Sequence, residues 1–291
     1  MAARESQIVL GLDPDPARLW PGAADTHGDG AFAAERAAAA VAAHCRAVID
    51  AVAGAVLAVK PQLACFERLG APGWSALDAT CRHAQSHGLL VLADGKRGDI
   101  DVSAAAYGQA LVGSTPTPFG EVTGLGADAF TANPYMGVDT LSVLAGEAAK
   151  AGAGMFVLVR TSNPGASDVE DLVAQDGSAI WEHVARIVDG LHDGGAEIAD
   201  IGAVVGATAP EHVARMRELM PRAPFLLPGV GAQGGRIEDL APAFAPGRAA
   251  ALVTASRSIV RAHETAGGKP SEAARAEAER LRAVAWSLSG S

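Results

Sequence analysis

At 291 residues, 49% hydrophobic but only 4% aromatic, the chain is long for one ordinary domain and must build its core from Ala, Val, Leu and Ile. That balance favours aliphatic, parallel β/α packing over an aromatic-rich sandwich. A formal net charge of −10 without a Lys/Arg cluster argues against a nucleic-acid surface, so an anionic ligand would need positive charge gathered inside a pocket. Cys45, Cys65 and Cys81 follow no pairing or metal-binding spacing, which fits a reducing cytosol. The first residues, Met1 to Ser6, lead into a strand without a signal region, and no apolar run approaches a membrane span. The expectation is a soluble, cytoplasmic protein with no membrane partner.

In chain order, Gln7–Leu12 reads as a short apolar strand, followed by a Pro/Gly/Asp-rich loop to Gly30 and an Ala-rich helix from about Ala31 to Val52. A second strand, Ala55–Val59, is closed by Lys60-Pro61, because proline forbids helix there. A helix near Gly73–Ser86 precedes a third strand, Leu89–Ala93, and another helix covers Asp101–Val112. Ala127–Ala132 is a fourth strand, followed by Asn133-Pro134-Tyr135 and a helix from Val138 to Ala151. Met155–Val159 is a fifth, giving way to a polar loop to about Asp176 and a helix from Ser178 to His192. Ile201–Val205, Phe225–Leu227 and Ala249–Thr254 complete the strands; Pro210 suits the first turn of a helix. A short helix follows Ser256-Arg257, and Ser271–Leu288 reads as an outer helix rich in Ala, Glu and Arg.

Eight short aliphatic strands alternating with helices predict a single (β/α)8 barrel over residues 1–291 with an additional C-terminal helix. A doubly wound open sheet is the alternative, though it would seldom need eight regular units. Polar residues recur where these strands end, which is the face that carries chemistry in such barrels. They are Asp13, Lys60, Asp94 with Lys96, Ser162, Gln233 and Arg257, at six of the eight strand ends.

The densest of these places is Asp94-Gly95-Lys96-Arg97-Gly98-Asp99-Ile100. On an extended chain Asp94 and Lys96 project from one face, and Asp99 falls just beyond the strand. Charges at the end of a buried strand carry a desolvation cost and need a reason. One reason is an ion pair together with a helix cap from Asp99 or Asp101. The other is a catalytic array. A second signal is the glycine-rich turn Pro228–Gly235, with Gly231, Gly234 and Gly235, followed one unit later by Arg257. Loops after the seventh and eighth strands commonly bind phosphate, with backbone N–H groups and a bidentate arginine as donors. His83 and His87 are spaced for zinc on a helix, but they lie towards the opposite face with no nearby carboxylate and read as solvated. No metal site is expected.

Taken together, the Asp94–Ile100 stretch, Lys60, Ser162-Asn163-Pro164-Gly165, Pro228–Gly235 and Ser256-Arg257-Ser258-Ile259 resemble the orotidine 5′-phosphate decarboxylase family over nearly the whole barrel. The long loops at Asp15–Gly30 and Thr161–Asp176 are similar to those of its longer bacterial subgroup. The resemblance implies a cofactor-free homodimer that converts orotidine 5′-monophosphate to UMP and CO2. It implies that Lys96 protonates C6, with Asp94 beside the substrate carboxylate. Asp99 would cross the dimer interface with Ile100 and Ser103. It further implies that Asp13 and Lys60 contact the ribose, Ser162 the pyrimidine, and Gln233 and Arg257 the phosphate. Asn133–Tyr135 receives no role. Competing readings are a Mg²⁺-dependent sugar-phosphate lyase, a Schiff-base aldolase using Lys60 or Lys96, and a non-catalytic nucleotide-binding dimer.

Overall fold

The computed structural model describes residues 1–25, 32–192, 195–231 and 233–290. Part of the expected Asp15–Gly30 loop, the helix start at Ala31, and Ala232 of the glycine-rich turn therefore lie outside the described residues. In chain order the elements are β1 (Ile8–Leu12), α1 (Ala33–Val52), β2 (Ala58–Pro61), α2 (Leu63–Glu67), α3 (Ala71–Ser86), β3 (Leu90–Arg97) and α4 (Asp101–Leu111). They continue with β4 (Ser114–Thr117), β5 (Gly120–Thr123), β6 (Ala129–Ala132), α5 (Val138–Ala151), β7 (Gly154–Arg160) and α6 (Ile180–Gly190). The last are β8 (Ile201–Val205), α7 (Glu211–Leu219), β9 (Phe225–Leu227), β10 (Ala251–Ala255), α8 (Arg257–Val260), α9 (Ala262–Ala266) and α10 (Pro270–Leu288). Eight of the strands close into a barrel in the order β1-β10-β9-β8-β7-β6-β3-β2, with β4 and β5 set apart as a two-stranded sheet. The expected (β/α)8 architecture with a C-terminal helix is the one observed.

The chain divides into two compact units, Met1–Gly95 with Ala255–Ala283, and Lys96–Thr254 with Val284–Ser291. In the first, every residue of β1 is buried, as befits a strand covered on both faces. β1 pairs in parallel with β2, which sets Gly11 beside Lys60 and Leu12 beside Pro61. Pro61 therefore belongs to the strand, and the strand begins later than the sequence suggested, at Ala58. A parallel ladder tolerates proline at a strand end, where one missing donor breaks little.

Helices α1 and α3 pack with apolar stripes that include Val41, Cys45, Val48 and Ile49 on one and Leu77, Cys81 and Ala84 on the other, all fully or nearly fully buried. Each buried aliphatic side chain of this size contributes roughly 1.5–3 kcal/mol. Burial pushes the Cys45 and Cys81 thiols up to about 12, so both act as small apolar side chains. The same packing corrects one expectation. It brings Asp50 of α1 to His83 and His87, which the sequence left without a carboxylate. Helix α10 buries Ala274, Ala278, Leu281 and Ala285 at helical spacing. Its Arg275 Nε donates to the Ala51 carbonyl at 3.1 Å.

In the second unit, β7 pairs with β6 and β8, and β9 with β8 and β10, all in parallel. Arg217 of α7 is a buried cation whose two terminal nitrogens donate to backbone carbonyls, while its Nε is buried without a hydrogen-bond partner among the described residues. It donates to Met220, Ala223, Ala243 and Ala250 at 2.9, 2.8, 2.7 and 3.1 Å, and its guanidinium lies 3.8 Å from the Phe225 ring centre. Burial lowers its pKa to about 10, which leaves it charged at neutral pH. The β4–β5 hairpin was not anticipated. It has no buried residue and no apolar alternation, so it carries none of the periodicity that marks a strand in sequence. Among the described residues no helix is long and apolar enough to cross a membrane.

Candidate active site

The first unit holds a buried ion pair between Lys60, near the end of β2, and Asp94, inside β3. Lys60 and Asp94 are 6% and 4% exposed, and the Lys60 ammonium donates to Asp94 Oδ2. Gln62 Nε2 reaches the same oxygen at 3.3 Å. Two buried charges of opposite sign, with an added hydrogen bond, satisfy the conditions under which such a pair is tolerated. Gln62 was not singled out from sequence. Its signal was available, since it stands two residues beyond Lys60 at the same strand end.

Asp13 follows the last residue of β1, and Arg257 is the first residue of α8. Both line one cavity, together with Asp15, Arg18, Ser256 and Arg261. Three arginines on this wall supply the local positive charge that an acidic protein needs to hold an anion. Gly11 sets the approach of Ser256-Arg257 to β1. A Cβ built on Gly11 would lie 1.7 Å from Ser256 Oγ, so only glycine fits. His44 lies behind this wall and accepts the Trp20 N–H at Nδ1, 3.0 Å away. Burial lowers its pKa to about 4, so the ring is neutral near pH 7.

The second unit begins with Lys96. Its φ is +47°, in the left-handed region, so the simple alternation expected to aim Asp94 and Lys96 alike does not hold at this residue. A non-glycine residue in this region costs on the order of 1–3 kcal/mol, and such strain persists only where neighbours enforce it. Two hydrogen bonds do so. Lys96 N–H donates to Thr131 Oγ1 at 2.9 Å, and the Arg97 carbonyl accepts from Asn133 N–H at 2.8 Å. Thr131 is the one polar residue of β6 and is 1% exposed, which was its signal in the sequence. Asn133, assigned no role from sequence, becomes a positioning residue for the turn.

The cap reading is corrected here. Helix α4 is preceded by Ile100 at its N-cap without a side-chain cap. Asp99 Oδ1 instead accepts the Ile100 N–H at 2.8 Å, and Asp101, the first residue of α4, has φ +43°, in the left-handed region. Ser103 is exposed on the first turn of α4, and Ile100, Val102 and Tyr135 are 55%, 84% and 88% exposed.

Ser162 and Gln233 meet, with Ser162 Oγ donating to Gln233 Oε1 at 2.8 Å. Gly229 permits this. At φ +102°, a Cβ there would sit 3.2 Å from Gln233 Oε1 and 3.4 Å from Ser162 Cβ. The glycines expected to offer phosphate donors do something else. The N–H groups of Gly231, Gly234 and Gly235 donate to Gly235, Gly231 and Gly229 carbonyls at 2.9, 2.8 and 3.0 Å. They close the turn on itself and so set its shape. The loop after β7 is tied at its base by a bidentate Arg160–Asp171 pair at 3.0 and 2.8 Å, and the Arg160 guanidinium holds the Asp171 carboxyl below its ordinary range.

Comparison with known proteins gives a consistent result. The sequence model of the orotidine 5′-phosphate decarboxylase / HUMPS family matches residues 6–276. The chain is 41% identical to the orotidine 5′-phosphate decarboxylase of Rhodopirellula baltica over 262 residues, covering 89% of this chain and 85% of the relative. Among solved structures it is similar to Leishmania donovani OMP decarboxylase, with a TM-score of 0.73 and 30% identity over 97% of this chain and 95% of the other. It also matches Leishmania donovani UMP synthase with a TM-score of 0.72 and 31% identity, covering 98% of this chain but 55% of that longer one.

Proposed function

The chain belongs to the orotidine 5′-phosphate decarboxylase family and is a decarboxylase of pyrimidine biosynthesis; on that premise we propose that it converts orotidine 5′-monophosphate to UMP and CO2 in the cytoplasm, through Lys96 and its flanking carboxylates. The whole chain acts as one barrel domain, and no metal or organic cofactor takes part, as the family resemblance implies. The bond from C6 to the carboxylate carbon breaks, CO2 departs, and the electron pair stays on C6. The Lys96 ammonium transfers a proton to C6, which completes UMP and leaves a neutral amine to be reprotonated by water. An ammonium at about 4 Å in an effective dielectric of about 20 favours that developing charge by about 4 kcal/mol. This is roughly three powers of ten in rate, so the phosphate grip must contribute as well.

The observation that carries this reading is the buried Lys60–Asp94 pair two residues before Lys96, whose backbone is held in a strained turn. An ion pair buried this deeply contributes little net stability, and strain of this kind clusters at functional sites. Asp94 and Lys60 form the charged array that precedes Lys96. Asp13 and Lys60 contact the ribose hydroxyls. Ser162 bonds the pyrimidine, Gln233 and Arg257 hold the phosphate, and Gly231, Gly234 and Gly235 shape the turn beside it. Asp99 serves the partner's site in a homodimer, accompanied by Ile100 and Ser103. The exposed apolar side chains of Ile100, Val102 and Tyr135 around Asp99 support an interface there.

The test is direct. Purified protein, stripped with a chelator, should deplete orotidylate absorbance and release one CO2 per UMP formed. It should also restore growth of a uracil-requiring strain. Turnover that depends on added Mg²⁺, or no orotidylate turnover at all, would contradict the proposal.

A further inference from the structure

Far along β3 from Asp94, just before the strand begins, three side chains converge that the proposed reaction does not use. Asp50 lies in the last turn of α1, His83 in the last turn of α3, and His87 directly after α3. Asp50 Oδ1 lies 2.6 Å from His83 Nε2 and 3.1 Å from His87 Nε2, and the two imidazole rings are 4.9 Å apart, edge to face. We propose that Asp50, His83 and His87 form a binding site for a divalent transition-metal ion, Zn²⁺ first among them, which staples the C-terminal ends of α1 and α3.

The donor set is of the right chemistry. Two imidazoles and one carboxylate match zinc, which takes nitrogen ligands near 2.0–2.1 Å and carboxylate oxygen near 2.0–2.2 Å. A tetrahedral ion with such bonds separates its ligand atoms by about 3.3–3.4 Å. The three ligand atoms here already lie within 4.8 Å of one another, so small rotamer adjustments suffice. Asp50 can make that adjustment because its side chain is 55% exposed, and a fourth position is left open to water.

The backbone beneath is preorganised. Arg4 donates to the carbonyls of Ala53, His87 and Gly88 at 2.7, 2.6 and 3.0 Å, and so ties the ends of the two helices together. Its guanidinium is thereby engaged with oxygen acceptors, although it remains a cation close to the site. Cooperation between ligands on two elements joined in this way lowers the ordering cost of binding. The alternative is that the same three groups form only a hydrogen-bonded cluster without metal.

Calorimetric titration of the chelator-stripped, full-length protein with Zn²⁺ distinguishes the two. One equivalent should bind and raise the thermal midpoint. His83→Gln, His87→Gln and Asp50→Asn should each weaken binding by at least about ten-fold, since even outer-shell changes around metals cost roughly 10–100-fold. Their far-ultraviolet circular dichroism and metal-free midpoints should match those of the parent, which confirms folding. Cys65→Ser, which removes the half-buried thiol, should bind Zn²⁺ normally. No stoichiometric binding, or binding that survives all three ligand changes or is lost in Cys65→Ser, would overturn the proposal.

Discussion

Two clusters in the first unit set a carboxylate against side-chain nitrogens in opposite surroundings. Lys60 of β2 and Asp94 of β3 have side chains only 7% and 6% exposed. Before β3, Asp50 meets His83 and His87 with side chains 55%, 24% and 36% exposed. In the interior, burial keeps water from replacing a lost partner, so losing either member removes a buried opposite charge from the other. At the surface, water replaces a lost partner at little cost, so the groups there can rearrange. Burial commits the inner pair to one arrangement, while exposure keeps the outer cluster adaptable.

Breaking the inner pair should give the largest effect. Asp94→Ala strands the Lys60 ammonium and should lower unfolding stability by about 3–5 kcal/mol, measured in urea. The double change Lys60→Met with Asp94→Leu should recover most of that stability, because apolar groups of similar size often replace a buried pair without loss. It should not recover turnover. If it did, the pair would have no part in the chemistry.

His44 sharpens the comparison as a buried base whose ring accepts a backbone N–H. Its pKa falls from 6.5 to about 4 in the folded chain, so folding favours the neutral ring. Stability from this group is complete above pH 6.5, declines as pH falls, and is reduced by about 3 kcal/mol near pH 4. Equilibrium unfolding across that window should show the decline, and His44→Asn should flatten it while keeping an acceptor for the Trp20 N–H.

Intermediate in exposure is Arg160–Asp171. Its carboxylate is held below the usual range by the guanidinium, so its contribution is present above the ordinary aspartate value and lost as pH falls through the lowered one. Asp171→Asn should cost about 1 kcal/mol or less and speed proteolysis within residues 161–176. The smallest effect belongs to the outer cluster. Asp50→Asn should change metal-free stability by less than about 1 kcal/mol, and a larger loss would remove the contrast with Asp94.

The barrel was legible because most of its strands begin as short aliphatic runs, and β8 and β9 begin and end where the sequence placed them. The β4–β5 hairpin was not, because its hydrogen-bonded ladder has no apolar face to announce it. At the candidate site, residue type at strand ends pointed to Lys60, Asp94, Lys96, Ser162 and Gln233. What it could not reveal was backbone conformation. The left-handed turn at Lys96 depends on Thr131, which is distant in sequence, and the closed glycine turn depends on bonds among its own amides. Asp50 escaped notice for a related reason, since only the packing of α1 on α3 makes it a neighbour of His83.

The central claim is that Lys96 supplies the proton to the carbon that CO2 leaves. The most direct measurement compares orotidylate consumption by the parent protein and by Lys96→Ala, with UMP binding measured on both. The account predicts that Lys96→Ala still binds UMP while its consumption of orotidylate falls below detection. Orotidylate turnover by Lys96→Ala within about ten-fold of the parent would contradict it, because one lost charge of this kind should cost roughly three powers of ten.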